Sequence, residues 1–180
     1  MALETYLYTF REFPHEIMKT LDVWYQERIL VDGAYSFVED WDDPDYILIT
    51  MDGAQWVSTI EIFYKTWLVN GQAMQIGGVG GVMTHPDYEK QGHSRRLMAQ
   101  SLDVIRQQWQ PAFAGLICKT ALVPFYESQG WEKLDASLFF RHPNGDMALF
   151  ARHCVHPMIY RFEPEAVWPE GDIDYGGLPW

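Results

Sequence analysis

Three observations in the 180-residue chain predict a mixed α+β fold built on a mostly antiparallel sheet. Two runs rich in β-branched and aromatic residues, Tyr46 to Met51 and Gln55 to Val69, are separated by Asp52-Gly53, and Asn70-Gly71 leads into a further extended run. Such pairs are tight hairpin signals, so the middle of the chain reads as a meander. Apolar residues recur at helical spacing over Ile17, Leu21, Trp24 and Tyr25, and again over Leu97, Met98, Leu102, Ile105 and Trp109. The meander and the second helix meet in residues 77–98, GGVGGVMTHPDYEKQGHSRRLM, which read as strand, polar loop and helix.

The remaining elements follow from local chemistry. Leu3 to Phe10 alternates around Tyr6, Tyr8 and Phe10, the pattern of a half-buried strand. Pro14 opens the first helix, whose spacing includes Arg28. Val31 to Pro44 is acidic and carries Gly33 and Pro44, so it reads as a loop with at most a short second helix. Its aromatics Tyr35, Phe37 and Trp41 either pack the loop down or, in a cleft, stack on a cationic ligand; Phe37 fits the first role, and Tyr35 and Trp41 stay open. Pro111 stops the second helix, Ala112 to Cys118 is a short apolar strand, and Val123 to Gln129 is a short helix begun by Pro124. Leu134 to Arg141 and Met147 to Ala151 are expected to close the sheet around the turn His142 to Asp146. A chain of this length is expected to form one domain, residues 1–180, around one core.

Charge excludes some functions. With 13 basic and 25 acidic side chains the net charge is −12, which repels nucleic acid and anionic membrane and offers no basic stripe to reverse that. The surplus serves solubility, or it favours a cationic partner. It is unevenly placed: Glu39, Asp40, Asp42, Asp43 and Asp45 form one cluster, and Glu163, Glu165, Glu170, Asp172 and Asp174 a second, so the two could flank one cleft. No basic start precedes an apolar segment and no apolar run is long enough to span a bilayer, so a soluble cytoplasmic protein is expected. Cys118 and Cys154 are too few for a disulfide framework and suit small core positions. His153-Cys154-Val155-His156 has metal-binding residue types at adjacent spacing without a second cluster, so no metal is expected.

The residues 77–98 leave two readings open on their own. A loop that delivers backbone N–H groups to a helix N-terminus is a ready anion site, because the first-turn amides lack intrahelical partners and the helix dipole is positive there; it is also an ordinary surface turn. Neither the dinucleotide G-x-G-x-x-G nor the nucleotide G-K-[ST] pattern is present. Gly77, Gly78, Gly80 and Gly81 accommodate twist, or they mark a bulge and a close backbone approach.

Glu89 to Met98 (EKQGHSRRLM) resembles the pyrophosphate loop of the GCN5-related N-acetyltransferases, Q/R-x-x-G-x-G/A before a helix. Glu89 stands where that family has Arg or Gln, and Ser94 where it has Gly or Ala. Such a loop binds mainly through backbone N–H groups, which any side chain can present. About thirty residues on, Pro124-Phe125-Tyr126-Glu127-Ser128-Gln129-Gly130-Trp131 resembles the family's A-x-x-F/L-Y-x-x-x-G-F/W signature. From Gly77 to Trp180 the arrangement is similar to the aminoglycoside 2'-N-acetyltransferases and their kasugamycin-modifying relatives, through Tyr126, Gly130-Trp131, Asp146, Gly171-Asp172 and Trp180.

The resemblance implies a fold, a cofactor and a set of roles. The fold is the GNAT α+β fold, with a bulged, splayed central strand, and the cofactor is acetyl-CoA. Lys90, Gln91, Gly92, His93, Ser94 and Arg95 would cradle the pyrophosphate, and Val82, Met83 and Thr84 would hydrogen-bond the pantetheine arm. Tyr126 would protonate the departing thiolate; on composition alone it is a core aromatic. Asp32, Tyr35, Trp41, Gly81, Asp146 and Trp180 would line the acceptor site, and the acceptor would be a cationic small-molecule amine. A homodimer is compatible with the resemblance. The acidic residue that the family carries on the central strand falls at Gly80 here, which leaves the α-carboxylate of Trp180 as the expected base for removing a proton from the acceptor ammonium. A backbone N–H at Val82 or Met83 would face the developing oxyanion.

Overall fold

A computed structural model describes residues 2–28, 38, 40–150 and 154–180. Its elements are β1 (Glu4–Thr9), α1 (His15–Arg28), β2 (Tyr46–Asp52), β3 (Gln55–Val69), β4 (Gln72–Thr84), α2 (His93–Trp109), β5 (Phe113–Lys119), α3 (Val123–Glu127), β6 (Glu132–Lys133), β7 (Leu138–Arg141), β8 (Met147–Leu149), β9 (Val155–Arg161) and β10 (Ile173–Asp174). The hairpins form where turn chemistry asks for them. Gly53 (φ 60°) closes β2–β3, and Asn70 (φ 48°) with Gly71 (φ 80°) closes β3–β4 in the left-handed geometry that an Asn-Gly pair tolerates.

The ten strands of the described residues belong to one sheet, in the path β6-β9-β5-β4-β3-β10-β7-β8, with β2 on the first half of β3 and β1 outside it. The sheet is mostly antiparallel, with parallel contacts at β4–β5 and β10–β7. On β3 the side chains alternate: Ile60 and Ile62 join Leu97, Met98 and Ile105 of α2 on one face, while Phe63 and Trp67 join Phe113, Tyr175 and Trp180 on the other. Both faces are buried, which is why β3 reads as an almost continuous apolar run. α1 covers β2 through Phe13, Leu21, Ile47, Ile49 and Trp56.

Two features position the site. Glu61 pairs with Gly80 and Thr59 with Met83, so Gly81 and Val82 together oppose Ile60 in a bulge on β4. β4 pairs with β5 only from Ile76–Gly78 to Phe113–Gly115, although both strands continue beyond; they part from there on.

The structure differs from the sequence reading at three places. β1 is largely exposed rather than half-buried, because it is an outer strand paired only with β2. The expected strand Leu134 to Arg141 is formed only over Leu138–Arg141. The strand beside β5 is β9, VHPMIYR, a segment to which the sequence reading assigns no strand and which carries Pro157, a residue without an N–H for the ladder. Residues beyond β10 also pack tightly: the Trp180 ring stacks on Phe63 (5.1 Å, 24°) and Trp67 (5.8 Å, 19°) and is 5% exposed.

Candidate active site

The parting of β4 and β5 opens a cavity of about 310 Å³, lined by Val79 to Val82 on one side, Ile117 to Lys119 on the other, and Tyr126 of α3 at its flank. A second cavity of about 340 Å³ lies between α1, the acidic segment before β2, and the bulge; Asp22, Asp42, Asp43, Glu61 and Met83 line it. Tyr25, Trp41 and Trp180 line both. The two spaces therefore meet at these three residues.

The glycines of β4 are explained one by one. A side chain at Gly77 would run into Ile105 of α2, and a Cβ at Gly78 would lie 2.6 Å from the Trp180 ring. At Gly80 a Cβ would lie 3.2 Å from the main-chain carbon of Trp180, so the last residue occupies the space of a side chain at position 80. Gly81 has φ 53° and lies under the Glu61 carboxyl. Close approach, rather than twist, is what these glycines permit.

Glu61 is the functional candidate that sequence reasoning missed. It is half-buried on β3, on the face of Phe63 and Trp67, with its carboxyl over the bulge. Burial, followed by repulsion from Asp22 and Asp43, raises its pKa from 4.5 to about 7. A carboxylate poised there can take a proton near neutral pH. The available signal was a single charged residue in the otherwise uncharged run Trp56 to Tyr64.

At the other end, the loop after β4 enters α2 through Gly92 (φ 79°), whose left-handed geometry turns the chain, and Lys90 is also left-handed (φ 61°). A hydroxyl relay ties strand to helix: Ser58 Oγ donates to the Met83 carbonyl (2.7 Å) and bonds Thr84 Oγ1 (3.0 Å), which bonds Ser94 Oγ (2.5 Å). Arg95 donates to Ser128 beside α3 (3.0 Å). His93 is buried, with Nδ1 2.9 Å from Arg96, and burial first and that guanidinium second lower its pKa. Gln91 caps back onto the Asp87 carbonyl. First-turn amides behind a left-handed glycine, an open gap between strands, and a glycine in the bulge fit a long phosphate-tipped thioester.

The other expected site residues are distributed unevenly. Gly81, Val82, Trp41, Tyr126 and Trp180 line the cavity between β4 and β5, and Met83 lines the acidic one. Asp146 is exposed in the β7–β8 turn, bonded to Asn144, and lines neither. Asp32, Tyr35, Phe37 and Glu39 lie outside the described residues. The second acidic cluster does not flank the cleft: Asp172 accepts from the Ser137 amide and Asp174 pairs with Arg141 (2.7 Å), and Asp22 and Glu61 take the place it was expected to fill. Cys118 lines the cleft, but its thiol is pushed up to about 12 by burial and by Glu127, which leaves it protonated.

A family model described as an acetyltransferase (GNAT) domain matches residues 13–134. The chain belongs to the GNAT acetyltransferases. Its fold is similar to that of Escherichia coli ElaA (TM-score 0.66, 13% identity, 89% of this chain and 100% of that one). It is also similar to an acyl-CoA N-acyltransferase from Pseudomonas aeruginosa (0.60, 14%, 88% and 99%). A GNAT family acetyltransferase from Brucella melitensis in complex with acetyl-CoA is similar too (0.59, 14%, 96% and 96%). At such identities these likenesses bear on fold alone. A comparison with curated proteins gives no match. As a GNAT acetyltransferase the protein uses acetyl-CoA. Among the described residues no helix is long and apolar enough to cross a membrane.

Proposed function

We propose that this GNAT enzyme transfers an acetyl group to the amine of a small cationic acceptor, and that an aminoglycoside, at a 2'-amino group as in the branch it resembles and with kasugamycin among the candidates, is that acceptor. The observation that carries the reading is the Glu61 carboxyl, poised over Gly81 where the cavity between the strands meets a cavity lined by Asp22, Asp42 and Asp43. Carboxylates attract an ammonium, and Tyr25 and Trp41 supply aromatic lining to the same cavity.

Bound acetyl-CoA would supply an activated acetyl thioester. Gly92, His93, Ser94 and Arg95 would present main-chain amides to its pyrophosphate, and Val79 to Val82 would line its arm. Glu61 takes the proton from the acceptor ammonium, directly or through water. Val82, which has no register partner on β3, offers its N–H to the developing negative charge. Tyr126 is placed along the same cavity to return a proton to the leaving sulfur. Where the chain ends at Trp180, its main-chain carboxylate lies against Gly80 and is the second candidate base.

Free-thiol release from acetyl-CoA, measured across kasugamycin, gentamicin, spermidine and N-terminal peptides, tests the reading. Turnover with the cationic sugars, lost in Glu61→Gln, supports it. Turnover with peptides alone would overturn the acceptor, and full activity of Glu61→Gln would overturn the base.

A further inference from the structure

The acceptor amine and the donor thioester must touch for transfer, so the acyl group has to lie where the two cavities join. Tyr25, Trp41 and Trp180 are the residues lining both. Trp180 is the most constrained of the surroundings: its ring fills the space under Gly78 and its main chain the space under Gly80, and Phe63, Trp67 and Tyr175 hold it at centroid distances of 5.0 to 5.8 Å. An acyl chain longer than acetyl has two ways to continue from that point. Toward the strand face it meets a plate of stacked aromatic rings that cannot yield without breaking close packing. Toward the acceptor cavity it meets Asp22, Asp43 and Glu61, where methylenes would strip water from carboxylates.

We propose that the Trp180 indole is the gauge of acyl length: it closes the donor cleft just beyond the transferred group and limits the donor to acetyl-CoA and its nearest homologue. The inference rests on the donor reading of the cleft between β4 and β5. Replacing the ring by a shorter apolar side chain opens an apolar path bounded by Phe63 and Trp67, and the discrimination against longer chains should then relax.

Isothermal titration calorimetry of acetyl-, butyryl- and hexanoyl-CoA without any acceptor reads this independently of turnover. A surplus methylene in a closed pocket costs roughly 10-fold or more. Wild-type protein should therefore bind hexanoyl-CoA at least roughly 10-fold more weakly than acetyl-CoA, and Trp180→Leu should bring the two within roughly threefold by the same measure. Circular dichroism checks folding, and Trp180→Phe, which keeps an aromatic plate on Phe63 and Trp67, is the second variant, expected to admit butyryl-CoA only. Equal binding of acetyl- and hexanoyl-CoA by wild type overturns the gauge, as does unchanged discrimination in folded Trp180 variants. Absence of binding for acetyl-CoA and free CoA alike would instead overturn the donor cleft itself.

Discussion

At Glu61 one side chain ties stability to activity. Its folded-state carboxyl holds its proton up to about pH 7, whereas the unfolded group releases it near 4.5. The folded state thus binds more protons in that window, and its stability falls as pH rises through it. Glu61→Gln removes the penalty. At pH 8 the variant should be more stable by up to about 3 kcal/mol, with no difference near pH 4, which thermal denaturation at the two pH values measures. The same change should abolish most turnover, so a gain in melting temperature would accompany a loss in kcat. Asp22→Asn removes one of the charges that raise Glu61, and the acidic limb of the kcat profile should move to lower pH. An unmoved limb would detach Asp22 from the base. Tyr126 is buried among Phe125 and Trp131 while lining the donor cavity, and both its core and its acid role are consistent with that position. Tyr126→Phe preserves the packing, so kcat should fall roughly 100-fold with acetyl-CoA affinity intact if it acts as an acid, and stay unchanged if it only packs.

Elements were legible where a few adjacent residues dictate backbone geometry. Asp52-Gly53, Asn70-Gly71 and Pro111 mark real boundaries of β2, β3, β4 and α2, and Gly92 marks the entry to α2. What stayed hidden depends on partners distant in sequence. Pro157 is tolerated in β9 because its ladder neighbour β6 is two residues long and because the Pro157 carbonyl still accepts from Leu134. Glu61 is a lone charge in an apolar strand, and the surroundings that raise its pKa, burial first and then Asp22 of α1 and Asp43 of the acidic segment, are distant in sequence. The bulge itself needs Gly81 at positive φ under that carboxyl. Gly92→Val tests the loop at the same scale. A β-branched residue resists φ 79°, so the turn into α2 distorts and the amides lose their approach to phosphate. The KM for acetyl-CoA should rise by at least roughly 10-fold, with the acceptor KM little changed, and equal shifts in both would mean general unfolding rather than a lost cradle.

Over the whole molecule the two substrates face opposite electrostatics. A net charge of −12 would draw the proposed cationic acceptor toward the cavity of Asp22, Asp43 and Glu61 and repel the polyanionic donor, for which Lys90, Arg95 and Arg96 around the start of α2 and Lys119 in the cleft offer local positive charge. Screening weakens attraction and repulsion alike, and surface charges beyond about 8 Å cease to count at physiological ionic strength. Raising salt from about 20 mM to about 300 mM should therefore lower kcat/KM for the cationic acceptor severalfold while leaving that for acetyl-CoA unchanged or improved. The divergence of the two slopes is the measurement, because a salt effect on folding or on chemistry would move both together. Parallel decline of both parameters would overturn a part for the acidic surplus in selecting the acceptor.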